Sequence, residues 1–374
     1  MPEWIIFVGG VLLFLLILSV TVALHEGGHM FAAKKLGLNV PEFSVGFGPK
    51  LFSRQGKKTN YNIRAVPLGG FVLIEDDKQE KDSYERGSLS YVAPWKRQII
   101  FAAGPAVNIV LGTVLLLVAL MAFPYQAGTT LVDKVQACDV GPCGSSEAGI
   151  QSGDKILSID GIAVDDLYAI AEAKEGKESI TVVLERDGKE VTIPNVQLQE
   201  KTALMGIVVT TGDAWRSFPE AWSFVGVTIE QNIHALANLP SRVAPIAESI
   251  VTGDRPDDAP GSVVSIGKNY GDTAVAPESE TGNKFYVYIL YTALFNFGLG
   301  FLNFLPILPL DGGRMFIAFM DSVRLRWSKI TKKLYTPTRK TVYLAMASVS
   351  TIVVFGFMGM LILSDFSLIF RGNL

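Results

Sequence analysis

The sequence predicts a polytopic α-helical membrane protein. It has four transmembrane helices, a β-rich element on the cytoplasmic side and one extracytoplasmic β-rich domain. Three observations carry this. Residues 4–24, 98–123, 285–310 and 341–364 contain no charged side chain, and each stretch reaches the roughly 20 residues a helix needs to cross a hydrocarbon core. Lys and Arg are shared unevenly between the intervening segments. Those segments also hold runs of alternating apolar and polar residues, the period of a half-buried strand. The composition agrees: 49% hydrophobic, 18% charged and a mean hydropathy of +0.33 are too apolar for an ordinary soluble chain.

Residues 1–30 hold the first transmembrane helix. Its leading residues, Met1-Pro2-Glu3, bring no Lys or Arg, and no small-residue cleavage site follows. A retained helix is therefore expected rather than a signal peptide. Residues 31–97 carry twelve Lys/Arg against seven acids and residues 321–340 seven against one, whereas residues 124–284 carry twelve against twenty-four. Short Lys/Arg-rich loops stay in the cytoplasm. The segments 31–97 and 314–340 are thus expected inside, with the acidic segment and both termini outside. Neither basic loop is interleaved with aromatic stacking residues, so they predict topology and no nucleic-acid partner.

Within 31–97, "FSVGFGPKLFSRQGKKTNYNIRAVPLGGFVLI" reads as short strands broken at Gly and Pro. Residues 98–123 form the second transmembrane helix. Residues 126–210 form the outer domain, where "SITVVLERDGKEVTI" is two alternating runs joined by Asp187-Gly188, a strong hairpin signal. Cys138 and Cys143, in "CDVGPC", suit a small disulfide in an oxidising compartment and two free thiols equally. Residues 211–284 read as an amphipathic helical segment and a loop. In the helical part Trp222, Phe224, Val225, Ile229, Ile233, Leu236 and Leu239 are spaced for one face, and Pro240 should bend or end the helix. From residue 253 onward Gly and Pro predict a loop. Residues 285–313 hold the third transmembrane segment, 314–340 a basic cytoplasmic loop and 341–364 the fourth helix.

The first apolar stretch ends in "HEGGHM". Ionisable residues inside a membrane are expensive and usually functional. His-Glu-x-x-His on a helix sets His25 and His29 one turn apart on one face, able to bind one Zn²⁺, with Glu26 close to the water that the metal activates. A packing role would require three polar groups paired only to neighbours. A catalytic zinc normally has three protein ligands. The remaining histidine, His234, lies in the outer amphipathic segment and is expected at the surface. That leaves a carboxylate in another membrane segment, and Asp311, in "NFLPILPLDGG", is the first charge after Lys284. Its depth agrees roughly. His25 lies 21 residues after Trp4, about 32 Å along an ideal helix, and Asp311 lies 26 residues after Phe285, about 39 Å less what Pro306 and Pro309 remove. The alternative for Asp311 is a turn residue just past the membrane, since "DGG" is turn-like.

Two resemblances follow from these residues. "AGIQSGDKILSIDG" (148–161), a helical turn, Gly-Asp, a strand and an Asp-Gly turn, resembles the core of a PDZ domain, and "LMGIVV" (204–209) resembles its peptide-binding loop and strand. The alternative is a generic β-rich module. The chain as a whole resembles the PDZ-containing bacterial branch of the site-2 protease family. "HEGGH" matches that family's zinc helix and "NFLPILPLDGG" its second motif. "FSVGFGP" and "IRAVPLGGFV" resemble its β-element, and "GPAVN" (104–108) a motif on its second membrane helix. The second motif departs at Pro309, which stands three residues after Pro306 where the family usually has two. A single PDZ-like domain is visible where some relatives have two.

The resemblance implies an intramembrane zinc metalloendopeptidase of the bacterial inner (cytoplasmic) membrane. Zn²⁺ would be held by His25, His29 and Asp311, with Glu26 moving the proton. Asn303 would orient substrate backbone or stabilise an oxyanion, with a helix–helix hydrogen bond as its alternative. Asn108 has the same ambiguity. The partners implied are the lipid bilayer and a transmembrane protein substrate, including one already cut by another protease, such as an anti-sigma factor or a remnant signal peptide. An edge in the β-element around residues 61–72 would capture the unwound substrate. A non-catalytic membrane scaffold that binds peptides through the PDZ-like domain is the competing reading. A metal transporter is disfavoured, since no further intramembrane His or acid marks a path.

Overall fold

The computed structural model describes residues 2–74, 89, 92–135, 144–164, 167–174, 177–198, 207–253, 262–276, 283–334, 338 and 340–371. Cys138 and Cys143 lie outside the described residues, as do residues 204–206 of "LMGIVV". Two compact units emerge, one of Met1–Ala119 and Phe218–Leu374, the other of Leu120–Ser217.

In the first unit, chain order runs α1 (Glu3–Lys35), β1 (Glu42–Gln55), β2 (Asn60–Leu73) and α2 (Pro94–Ala122). Four helices among the described residues are long and apolar enough to cross a membrane: α1, α2, and two further along, Lys284–Asn303 and Tyr343–Arg371. A helix suits a bilayer because it satisfies its own backbone polar groups. Buried residues on α1 recur as Gly10, Phe14, Leu18, Thr21, His25 and Gly28, spacings of three and four, with His29 one turn after His25, so that they fall on one face. The two histidines therefore share the inward face with Phe14 and Leu18. α1 runs five residues beyond the expected boundary at 30 and stops at Gly37, whose φ of +81° suits glycine.

Glycines set the helix spacing. A Cβ on Gly28 would stand 2.6 Å from the Ala103 carbonyl oxygen of α2, so at this level α1 and α2 touch backbone to backbone. Small residues permit such crossings in membranes.

β1 and β2 form one two-stranded sheet in which both strands bend. Glu42–Val45 runs parallel to Asn60–Ile63 and also faces Leu73–Gly70 in the opposite sense, while Lys50–Gln55 pairs with Arg64–Asn60 in antiparallel register. The bend in β1 uses Gly46 and Gly48, both at positive φ. A polar knot braces it. Arg64 Nη2 donates to Glu42 Oε1 at 2.8 Å, and Asn62 Nδ2 donates to the same oxygen at 2.7 Å.

The rest of this unit is α5 (Phe218–Ala237), α6 (Leu239–Thr252), α7 (Val263–Val275), α8 (Lys284–Asn303), α9 (Asp311–Thr331) and α10 (Lys340–Arg371). The amphipathic helix breaks at Pro240 as expected: α5 stops at Ala237, the break is at Asn238, and Pro240 occupies the first turn of a new helix, α6, where its missing N–H costs nothing. Two sequence expectations change here. The buried face of α5 is Ala221, Val225 and Thr228, while Trp222, Phe224 and Ile233, expected on the apolar face with Val225, are about half exposed. Residues 253–284 are not all loop. α7 forms there, capped by Ser262, whose hydroxyl accepts the Val264 N–H. Its glycines, which lower helix propensity, are what let it dock on α1: Gly271 would meet the Phe7 ring if it carried a Cβ, and Tyr270 is buried with Phe14 and Leu18. Asp365 of α10 completes the clamp, accepting the backbone N–H of Ser262 at 3.0 Å and of Ser265 at 3.3 Å.

The segment expected as a basic loop, 314–340, is mostly the helix α9. Its buried residues include Ala318 and Asp321. Asp321 accepts the Thr338 N–H and hydroxyl and lies 4.0 Å from Arg97 at the start of α2. Gln98 Nε2 donates to Ser322 Oγ at 3.1 Å. These contacts bury Asp321 on the inner face of α9, while Arg324, Arg326 and Lys329 are exposed.

The second unit contains β3 (Tyr125–Val135), α3 (Gly144–Glu147), β4 (Lys155–Ile159), β5 (Ile162–Ala163), α4 (Leu167–Lys174), β6 (Ser179–Arg186), β7 (Lys189–Gln197) and β8 (Ile207–Ala214). Its sheet runs β7-β6-β4-β3-β8, with β5 on β4. The hairpin forms where expected: Arg186 faces Lys189, and Asp187 and Gly188 both have positive φ. Val132, Ile156, Ile159, Ile180, Val182, Leu184 and Val196 fill the core.

Asp154, the acid of the Gly-Asp pair, is buried and held by Arg186 through Nε to Oδ1 at 2.7 Å and Nη2 to Oδ2 at 2.6 Å, and by the Gln151 N–H at 2.8 Å. Burial pushes its carboxyl up, but the Arg186 and Gln151 hydrogen bonds more than reverse that and hold it below the usual carboxylate range. A group depressed on folding stabilises the fold above its unfolded pKa of about 3.9, and the benefit disappears as pH falls through the folded value. At pH 7, Asp154→Asn is expected to unfold at a lower temperature than wild type. The gap should narrow as pH drops below about 4. Thermal unfolding of the full chain across that range checks this, and a pH-independent gap would contradict it.

Candidate metal centre

α1 brings His25 and His29 to the centre one turn apart on its buried face. Asp311 arrives from the other end of the chain. α8 stops at Asn303, short of the expected 310, and tight turns follow: Leu305 N–H to the Leu302 carbonyl, Ile307 to Leu305 and Leu310 to Ile307. Pro306 and Pro309 cannot supply helical N–H donors, and the Leu308–Pro309 peptide is cis. Asp311 then opens α9. The two glycines after it are required by this path. A Cβ on Gly312 would lie 2.5 Å from the Phe304 carbonyl carbon, and one on Gly313 2.5 Å from the Leu308 nitrogen.

The three side chains close a small triangle. His25 Nε2 lies 3.1 Å from Asp311 Oδ2, His29 Nε2 lies 3.2 Å from that oxygen, and the two Nε2 atoms are 3.3 Å apart. Bonds of about 2.0–2.1 Å from nitrogen or oxygen to a tetrahedral zinc imply edges of about 3.3 Å. The triangle therefore has the size of one face of such a tetrahedron. The proton arrangement points the same way. His29 Nδ1 lies 2.7 Å from the Ile100 carbonyl oxygen, which can only accept. A neutral His29 thus carries its proton on Nδ1 and turns a bare lone pair toward a carboxylate oxygen 3.2 Å away. A cation between them removes that repulsion. Room exists because Gly104 of α2 has no side chain: a Cβ there would run into His29 Nε2 and stand 2.8 Å from His25 Nε2. The donor set and the space both fit zinc.

Glu26 is not one of the three converging groups. Its carboxylate lies within electrostatic reach of His29, His25, Asp311 and Arg314. The β-element closes on it from one side, since a Cβ on Gly70 would be 3.1 Å from Glu26 Cγ. Asn303, the last residue of α8, is half-buried and makes no side-chain hydrogen bond among the described residues. His234 stays exposed on α5, 3.6 Å from Glu230. Sequence reading missed two contributors. Gly104 appeared only as part of "GPAVN", and Arg314, in the first turn of α9, sat beyond the recognised motif. No spacing rule marks either, because each acts across helices.

The matching family model is "Peptidase family M50", over residues 13–348. Among curated proteins, the chain is 32% identical to the zinc metalloprotease Rip1 of Mycobacterium bovis over 359 residues, covering 85% of this chain and 87% of that protein. It is 29% identical to Rip1 of Mycolicibacterium smegmatis, over 84% of this chain and 86% of that one. Both relatives are named zinc metalloproteases, as the triangle of donors on α1 and α9 would lead one to expect. The chain belongs to peptidase family M50, the site-2 protease family, and is a membrane zinc metalloendopeptidase.

Proposed function

We propose that His25, His29 and Asp311 hold the catalytic zinc and that the enzyme hydrolyses peptide bonds within the transmembrane segments of other membrane proteins. The observation that carries this is the 3.1–3.3 Å triangle of donors on candidate membrane-spanning and adjoining helices. When bound there, zinc supplies Lewis acidity, acidifying a water to a pKa of about 7 and polarising a carbonyl. Glu26 accepts the proton from the attacking water and delivers it to the amine nitrogen as the C–N bond breaks, leaving a new carboxylate and a new amine. Asn303, whose amide makes no hydrogen bond among the described residues, orients the substrate backbone or donates to the oxyanion.

A helical substrate hides its amides in i→i−4 bonds and must be unwound first. The β2 edge that passes Glu26 at Gly70 is suited to take the unwound segment as an added strand. The Lys/Arg asymmetry puts the β-element and α9 in the cytoplasm. The second unit, which we read as a PDZ-like domain, and both termini then lie outside a bacterial inner membrane. There the domain would exclude bulky substrates or bind the C-terminus left by an earlier cut. Anti-sigma factors and remnant signal peptides are substrates of this type. The scaffold reading does not explain the convergence of His25, His29 and Asp311.

The test is purified enzyme with a single-span model substrate. Cleavage inside the apolar segment is expected, abolished by a zinc chelator and restored by zinc. A zinc-loaded enzyme that binds the substrate and leaves it intact would contradict the proposal.

A further inference from the structure

We propose that Asn108 is a positioning residue for His25, fixing which ring nitrogen carries the proton so that Nε2 is free for zinc. The proposal rests on the reading of His25 as a ligand. Asn108 is completely buried on α2, one turn after Gly104. Its Nδ2 lies 3.2 Å from His25 Nδ1, and its Oδ1 has no hydrogen-bond partner among the described residues. A buried acceptor without a partner is unfavourable and uncommon, so it calls for an explanation.

The explanation lies in the two tautomers of His25. With the proton on Nε2, that nitrogen donates to Asp311, and Nδ1 accepts an N–H from Asn108. This arrangement leaves Oδ1 without a partner. With zinc on Nε2, the ring proton must sit on Nδ1, which then donates. A side-chain amide offers both an acceptor and a donor, and turning it over exchanges them at one place. Turned over, Asn108 presents Oδ1 to the His25 Nδ1–H, and its Nδ2 takes the place that Oδ1 had, so the amide can serve either tautomer with one hydrogen bond. His29 receives the same service from the Ile100 carbonyl. Both supports come from α2, on either side of the glycine that leaves the metal its space. Groups of this kind orient metal-binding imidazoles and raise their basicity, and losing one typically costs about 10–100-fold in metal affinity.

A helix–helix hydrogen bond of purely structural value is the competing account, and two substitutions separate them. Asn108→Leu matches the shape and removes both hydrogen-bonding functions. Asn108→Asp keeps the acceptor. Zinc affinity is measured on the purified full chain by competition with a chelator, alongside thermal unfolding of the metal-free protein. Asn108→Leu is expected to bind zinc about 10–100-fold more weakly, and Asn108→Asp to stay near wild type. Wild-type affinity in Asn108→Leu would overturn the proposal. So would equal weakening in both variants, which would mark a structural role. His25→Ala is the companion measurement: retention of zinc at wild-type affinity there would show that the ligand assignment itself fails, and the Asn108 role with it.

Discussion

Glu26→Gln is expected to lose peptide hydrolysis by about 10²–10⁴-fold, the range that positioned acid–base groups supply, while its zinc content stays at the wild-type level. Gln has nearly the same shape, so the α1 helix and the packing of Gly70 against position 26 should persist. What changes is the ability to accept a proton. An amide cannot take one from water at neutral pH, so both the activation of water and the protonation of the leaving amine are lost. Zinc should stay because the triangle is made by His25, His29 and Asp311, with Glu26 outside it. Rates on the single-span substrate, read beside zinc stoichiometry, check both halves. Near wild-type cleavage would show that another group moves the proton. Loss of zinc together with activity would show that Glu26 belongs to the ligand set.

Gly104→Ala should weaken zinc binding by roughly five- to 150-fold and reduce activity with it. The substitution is small and, in an exposed helix, would be neutral or stabilising. Here the added carbon would run into His29 Nε2 and lie 2.6 Å from His29 Cε1 and 2.8 Å from His25 Nε2. Relief would require moving the two imidazole rings or separating α1 from α2. Separation is resisted at Gly28, which already faces the Ala103 carbonyl. Overpacking of this kind costs about 1–3 kcal/mol, roughly five- to 150-fold in a binding constant if it falls on the metal-bound state. Gly298→Ala is the control, since a Cβ there meets nothing within 4 Å. Equal zinc affinity in the two variants would show that Gly104 does not make the space for the metal.

The sequence made the chemistry more legible than its supports. Three ionisable residues at the end of an uncharged stretch identify α1 as a functional helix, because few packing roles justify them there. Asp311 is expected from the need for a third donor at matching depth, its carboxylate lies 3.1 Å from His25 Nε2, and the prolines before it explain why α8 ends early. The limits have physical causes. The Gly- and Pro-rich stretch around α7 predicts a loop, whereas the lack of side chains at Gly267 and Gly271 permits docking of a helix on Gly10 and Phe14. A charge count without its period predicts only a basic loop where α9 forms. Gly104, Asn108 and the Asp365 clamp act between segments far apart in sequence, and one chain read in order carries no record of those pairings. The strands of the second unit were readable from alternation and from Asp187-Gly188, since hairpin register is a local property.

The most direct measurement is the zinc content of purified Asp311→Ala against wild type. His25 and His29 sit on one face of one helix and supply two donors, and the third comes from a helix nearly three hundred residues away in sequence. Wild type should hold one zinc per chain. Asp311→Ala should insert and fold, yet retain zinc only weakly and cleave nothing. Full zinc occupancy in Asp311→Ala would place the third ligand elsewhere and contradict the site described above.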